Sequence, residues 1–134
     1  MSKEQEMQKK IVQFQILESN LKMLQERADI IGQKIDEFQR TRQALDDLKR
    51  TEPNKALIPM GSGNFVFGTV DNMDEIIVSI GSDMALKKKR EDAIILLDSR
   101  ITEAENDSND LTKKSQAIIR SLEKLQLNLQ EMQG

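Results

Sequence analysis

Residues 58–68 read IPMGSGNFVFG, and this stretch decides the fold. A proline, three glycines and the run Phe65-Val66-Phe67 stand between two long segments that read as helix without interruption. Gly61-Ser62-Gly63-Asn64 supplies turn chemistry, and the flanking segments Ala56 to Met60 and Phe65 to Val70 are rich in residues that suit strands. The same grammar follows downstream. Asp71-Asn72-Met73-Asp74 reads as a turn, Glu75 to Ile80 as a strand, Gly81-Ser82-Asp83 as a turn and Met84 to Lys88 as a strand. Two β-hairpins are expected. Ile76-Ile77-Val78-Ser79-Ile80 is apolar on both faces, and small hairpins are marginal in water, with open edges that invite another chain. An assembly role is therefore expected of Leu57, Ile58, Phe65, Val66, Phe67, Val70, Ile76, Ile77, Val78 and Ile80.

The flanking segments each carry a seven-residue apolar repeat. Placing Met7 at heptad position a puts Phe14, Leu21, Ala28, Ile35 and Arg42 at a, with Leu17, Leu24, Ile31, Phe38 and Leu45 at d. In the second half Ile94, Ile101, Ser108, Ser115, Leu122 and Leu129 fall at a, and Leu97, Ala104, Leu111, Ile118, Leu125 and Met132 at d. Seams this long argue for a coiled coil rather than two ordinary amphipathic helices. Antiparallel pairing with Leu45 opposite Ile94, Phe38 opposite Ile101, Leu24 opposite Ser115 and Phe14 opposite Leu125 sets small residues against large ones: Ala104 meets Ile35, Ser108 meets Ile31 and Ala28 meets Leu111. Thr51-Glu52-Pro53-Asn54 ends the first helix because Pro53 cannot continue it. Glu91-Asp92 suits the positive end of the second helix's dipole. One α+β unit is expected over residues 1–134, with an N-terminal helix over about 4–50, a hairpin insert over about 55–89 and a C-terminal helix over about 91–132. Its fold class is a long antiparallel two-helix coiled coil joined by two β-hairpins.

Composition excludes much else. The 134 residues are 32% charged and 3% aromatic, with no Trp, Tyr, Cys or His. That balance belongs to long helices rather than to an aromatic core. A net charge of −3 gives no electrostatic footprint for nucleic acid. Without Cys or His, thiol chemistry and the usual zinc ligands are lacking. Asp98, Glu103, Glu105, Asp107 and Asp110 form no paired acid–base site, so no catalytic residue, no metal, no cofactor and no enzyme activity is expected. No apolar run approaches the roughly 20 residues that span a bilayer, and a cytoplasmic location away from membranes is expected. Gly61-Ser62-Gly63 lacks the Gly-Lys-Ser/Thr of a phosphate loop. Lys87-Lys88-Lys89-Arg90 reads as a solvated strand-to-helix junction, and Arg42 as a seam residue extending its charge to water.

The order of these parts resembles a known family. A long helix, then Leu57-Ile58-Pro59-Met60-Gly61-Ser62-Gly63, Phe65, Gly68 and Val78-Ser79-Ile80-Gly81, then a second long helix, is similar to an alpha-class prefoldin subunit of the archaeal type. Two hairpins rather than one distinguish that class from the beta class. Asp83-Met84 departs from the Gly-Tyr that often precedes the fourth strand in alpha-class chains. The resemblance implies hairpins that oligomerise into a β-barrel, with two alpha-class and four beta-class prefoldin subunits sharing one platform. It also implies a chaperone without nucleotide, whose coiled-coil tips hold non-native polypeptides and deliver them to a group II chaperonin.

Apolar residues off the seams point to where such binding would occur. Ile11, Val12, Ile16 and Met23 lie off the first seam near its free end, and Ile119 and Leu127 off the second. With Met7 and Met132 closing the last turns, the expected client-binding set is Met7, Ile11, Val12, Ile16, Ile119, Leu127 and Met132. A second group, Leu48, Ile95 and Leu96, is placed to pack under the strands, and Ile30 stands between the two groups. The alternative function is a scaffolding coiled coil with an oligomerising β-cap, whose tips dock one defined helix.

Overall fold

A capping box opens the first helix: the Gln5 N–H donates to Ser2 Oγ and the Ser2 N–H to Gln5 Oε1, each at 3.3 Å. Two N-terminal donors that the helix cannot pair internally are thereby satisfied. The computed structural model describes residues 2–48 and 55–133. The expected helix stop at Thr51-Glu52-Pro53-Asn54 and the last residues of the expected first helix lie outside them. The elements are α1 (Lys3–Asp47), β1 (Lys55–Gly61), β2 (Asn64–Thr69), β3 (Glu75–Gly81), β4 (Met84–Lys89) and α2 (Arg90–Gln133). They group into two units, Met1–Ile35 with Glu103–Gly134, and Asp36–Thr102.

In the first unit the seam is where the heptads put it. The α1 residues withdrawn from water are Met7, Phe14, Leu17, Leu21, Leu24, Ala28, Ile31 and Ile35, joined by Lys10 at one further d position. Opposite them, Ala104, Ser108, Leu111, Ser115, Ile118, Leu122, Leu125, Leu129 and Met132 are withdrawn from α2, with Asn128 beside them. Among the described residues of this unit, Leu111 and Leu125 alone are buried, each still 8% exposed. Half-burial is the natural state of a two-helix seam, since each knob is covered by one neighbour alone. A half-buried Leu or Ile contributes on the order of 1 kcal/mol.

The second unit holds both hairpins and the paired segments 36–47 of α1 and 90–102 of α2. Here Phe38, Arg42 and Leu45 form the seam with Ile94, Leu97 and Ile101, and Ala93 and Leu97 are buried. Arg42 pairs with Asp98 through Nε to Oδ1 and through Nη2 to Oδ2, the latter at 3.3 Å. The expected register sets residue 42 opposite 97, so this ion pair fits it. β1 pairs antiparallel with β2, and β3 with β4, as two separate two-stranded sheets.

The two hairpins are built alike. Each has a bulge before its turn, at Met60 between Pro59 and Gly61 and at Ile80 between Ser79 and Gly81. Each turn has two central residues in the left-handed region, Ser62 (φ 53°) and Gly63 (φ 79°) in the first, Ser82 (φ 52°) and Asp83 (φ 59°) in the second. Positive φ at both central residues matches the twist of paired strands. Between the hairpins the Asn72 side-chain oxygen accepts from the N–H groups of Asp74 and Glu75 at 2.9 and 3.1 Å, and Thr69 Oγ1 donates to Asp71 at 3.2 Å. These local bonds compete with the ladder, so β2 ends at Thr69 and Val70, expected within the strand, lies past it.

Candidate interaction surfaces

The first hairpin is apolar on both faces, and its large apolar side chains are exposed on both. Across its ladder Leu57 pairs with Phe67 and Pro59 with Phe65, while Ile58 pairs with Val66 and Ala56 with Gly68. Alternation along a strand sends these two sets to opposite faces. Leu57, Ile58, Phe65 and Val66 are all exposed, and Phe67 is 92% exposed. Met60, absent from the expected assembly set, is equally bare. Large apolar side chains left bare in this way make the hairpin a candidate surface for contact with another chain.

The second hairpin divides its faces. Ile76 and Val78 are half-buried and, with Phe38, Leu45, Ala93 and Leu97, line a groove of about 330 Å³ between β3 and the helices. These two side chains serve the chain's own packing. Ile77, pointing the other way, is 71% exposed, and Ile80, Met84 and Leu86 are exposed as well. Val70 is half-buried in the connection between the hairpins.

Two arginines depart from the sequence expectation. Arg90 is 3% exposed although it ends a Lys-Lys-Lys-Arg run. Its Nη1 donates to the Leu45 carbonyl at 3.2 Å and its Nη2 to Glu91 Oε1 at 3.0 Å, while its backbone N–H donates to the Asp74 carbonyl at 2.8 Å. The last turn of α1 has no basic residue of its own, and Arg90 brings a cation to the Leu45 carbonyl near that helix end. Arg42, expected to extend to water, is held by Asp98, and the hydrogen bond with that carboxylate and its charge raise the guanidinium pKa further above its ordinary value. Of the group expected under the strands, Leu96 lines the β3 groove and Leu48 is half-buried, but Ile95 faces solvent.

The tip set falls on more than one surface. Met7 and Met132 are half-buried on the seam. Ile11 and Ile119 at heptad position e, and Val12 and Leu127 at f, are exposed. Ile16 sits at position c, which it shares with Met23 and Ile30, and all three are exposed. Among the described residues no acidic cluster is placed to hold a metal, and no helix is long and apolar enough to cross a membrane.

A family model described as prefoldin subunit matches residues 17–134. The chain belongs to the prefoldin family. The prefoldin subunit alpha of Thermococcus onnurineus is 36% identical over 93 residues, which cover 68% of this chain and 63% of that relative's length. That of Pyrococcus horikoshii is 30% identical over 121 residues, 89% of this chain and 79% of its own. That of Archaeoglobus fulgidus is 28% identical over 130 residues, 96% and 95%. Among solved structures, the cryo-EM structure of filamentous PFD from Methanocaldococcus jannaschii aligns with a TM-score of 0.73 at 19% identity, covering 84% of this chain and 93% of that one. Within the prefoldin family the chain is of the archaeal alpha type. Prefoldins are chaperones that work as oligomers.

Proposed function

We propose that this chain is the alpha subunit of an ATP-independent holdase, assembling through its hairpins with beta-class prefoldin subunits, two alpha to four beta, in a shared β-barrel. Its coiled-coil tips hold non-native polypeptides and deliver them to a group II chaperonin. The observation that carries the assembly half is the first hairpin, whose apolar side chains are bare on both faces in the single chain. The client half rests on Ile11, Val12, Ile119 and Leu127, exposed off the seam near the free ends of the two helices. Met7 and Met132 add adaptable thioether side chains beside them. One tip covering about 300 Å² of apolar client surface gains several kcal/mol gross at roughly 25 cal/mol/Å², much of which is lost to ordering both partners. Several tips on one client restore affinity through effective concentration.

The test combines native mass with protection. A gently purified complex should have the mass of two copies of this chain plus four of a smaller one. The triple variant I11S/V12S/L127S should keep that mass and lose most protection of several unrelated denatured proteins in a light-scattering assay. Protection of none of them by the unmodified complex would favour the scaffold, in which the tips dock one defined helix.

A further inference from the structure

Among the described residues Arg90 is the one buried charged side chain, and it stands where three elements meet. β4 ends at Lys89 and α2 begins at Arg90. The Arg90 N–H donates to the Asp74 carbonyl at 2.8 Å, which carries the β3–β4 ladder one step past the Glu75–Lys89 pair and into the helix. The side chain reaches elsewhere. Nη1 donates to the Leu45 carbonyl of α1 at 3.2 Å and Nη2 to Glu91 Oε1 of α2 at 3.0 Å. One residue thus belongs to the sheet by its backbone, to α2 by its place in the chain and to α1 by its guanidinium. A planar fork with two nitrogens on two acceptors is fixed in direction as well as in distance.

Apolar contact does not supply that direction. Ile76 and Val78 line the groove against Phe38, Leu45, Ala93 and Leu97, but apolar burial is non-directional and holds the hairpin on the helices without setting its angle. We propose that Arg90 is a positioning residue that fixes the angle between the second hairpin and the paired helix segments 36–47 and 90–102. Its consequence for the chaperone rests on the reading of the hairpins as the platform and of the far helix ends as the client surface. The angle at Arg90 is then the direction in which a helix leaves the barrel. A 45-residue helix such as α1 is about 68 Å long, so a swing of about 10° at its base carries its far end about 12 Å. Tips that wander so far lose the effective concentration on which the holding of one client by several tips depends.

The chain has no cysteine, so spin labels at A85C on β4 and S99C on α2, both exposed positions, read the angle in the full-length protein. R90M should broaden the distance distribution about twofold, because the apolar contact that remains leaves the angle free. R90K, which keeps the charge but lacks the fork, should lie between R90M and the unmodified chain. R42M breaks the ion pair with Asp98 between the two helices of the same unit and should leave the distribution as it was. In the unlabelled complex R90M should keep the native mass and lose protection of denatured proteins several-fold, and R42M should keep both. A distribution as narrow in R90M as in the unmodified chain overturns the proposal, and so does equal broadening in R42M, which would make the effect a general loosening. Loss of the high-mass complex in both R90M and R90K would assign Arg90 to assembly instead. Broadening with protection intact would sever the angle from client capture. Failure of the unmodified complex to protect any denatured protein overturns the holdase reading, whereas the label distances decide the role of Arg90 independently.

Discussion

The two hairpins share strand lengths to within one residue, the same bulge and the same turn geometry, yet they spend their apolar side chains differently. β3 turns Ile76 and Val78 onto the helices and keeps Ile77 for the outside. In β1 and β2 only Ala56 and Gly68 are half-covered, and Phe67 is almost wholly bare. Identical local geometry therefore does not decide a hairpin's task. The difference lies in which side chains the strands have covered. Ile76 and Val78 line the groove beside the helices, whereas Gly68 is covered by the Ile58 side chain of its own hairpin. The second hairpin packs part of its apolar surface against the helices, and the first leaves its large apolar side chains exposed.

The largest effect that would break this division is on assembly. F65S/F67S should abolish the high-mass complex on native mass spectrometry while leaving the helical circular dichroism and melting temperature of the isolated chain within error. A fall in stability to match would mean that the first hairpin packs within the subunit after all. The reciprocal change, I76S/V78S, should destabilise the isolated chain by about 2–3 kcal/mol, given the partial burial of both side chains. Chemical denaturation measures it. An effect near zero would erase the distinction between the hairpins. Next in size is Arg90→Met, which keeps the aliphatic stem and removes the cap on Leu45. The loss of the charge-assisted bond to the Leu45 carbonyl should cost about 1–2 kcal/mol. Amide exchange should accelerate first at the end of α1 and at the β3–β4 junction, where the Arg90 N–H extends the ladder to Asp74.

The parts of this fold that were legible in the sequence are those governed by short periods. The seven-residue repeat named every seam position from Phe14 to Leu45 and from Ile94 to Met132, because burial in a two-helix pair follows helical phase and little else. Turn chemistry located both hairpins for the same reason. Arg90 was hidden by the three lysines before it: a charge run reads as solvent-facing, although strand alternation sets Leu86, Lys88 and Arg90 on the side of Ile76 and Val78. Arg42 was misread because its partner lies 56 residues away, and only the helix register brings Asp98 to it. The capping box at Ser2 and Gln5 follows a readable pattern within a polar stretch, where no apolar signal draws attention to it. At the candidate surfaces, exposure off the seam was legible for Ile11, Val12, Ile119 and Leu127. The grouping of Ile16 with them was set by position along the helix, whereas heptad phase places it with Met23 and Ile30.

The finest contrast between the hairpins lies in one backbone position. The second central residue of the turn is Gly63 in the first hairpin and Asp83 in the second, with φ of 79° and 59°. Left-handed backbone is costly for a residue with a Cβ, although Asp bears it better than most. Replacing it by Gly removes that strain but gives the unfolded chain more freedom, and the two terms oppose one another. Two-residue turns of this type favour Gly at the second position, so strain wins by a small margin. D83G should stabilise the second hairpin by about 0.5 kcal/mol, seen as roughly twofold slower exchange of the β3–β4 amides. G63D should weaken the first hairpin by a similar amount. Nothing lies within 4 Å of a Cβ built at Gly63, so its effect isolates backbone conformation from packing. Equal and opposite responses would establish that the turns are interchangeable and that the hairpins differ only in the side chains their strands present. A D83G effect of the wrong sign would locate a further difference in the second turn itself, where the Asp83 side chain would be doing what Gly63 cannot.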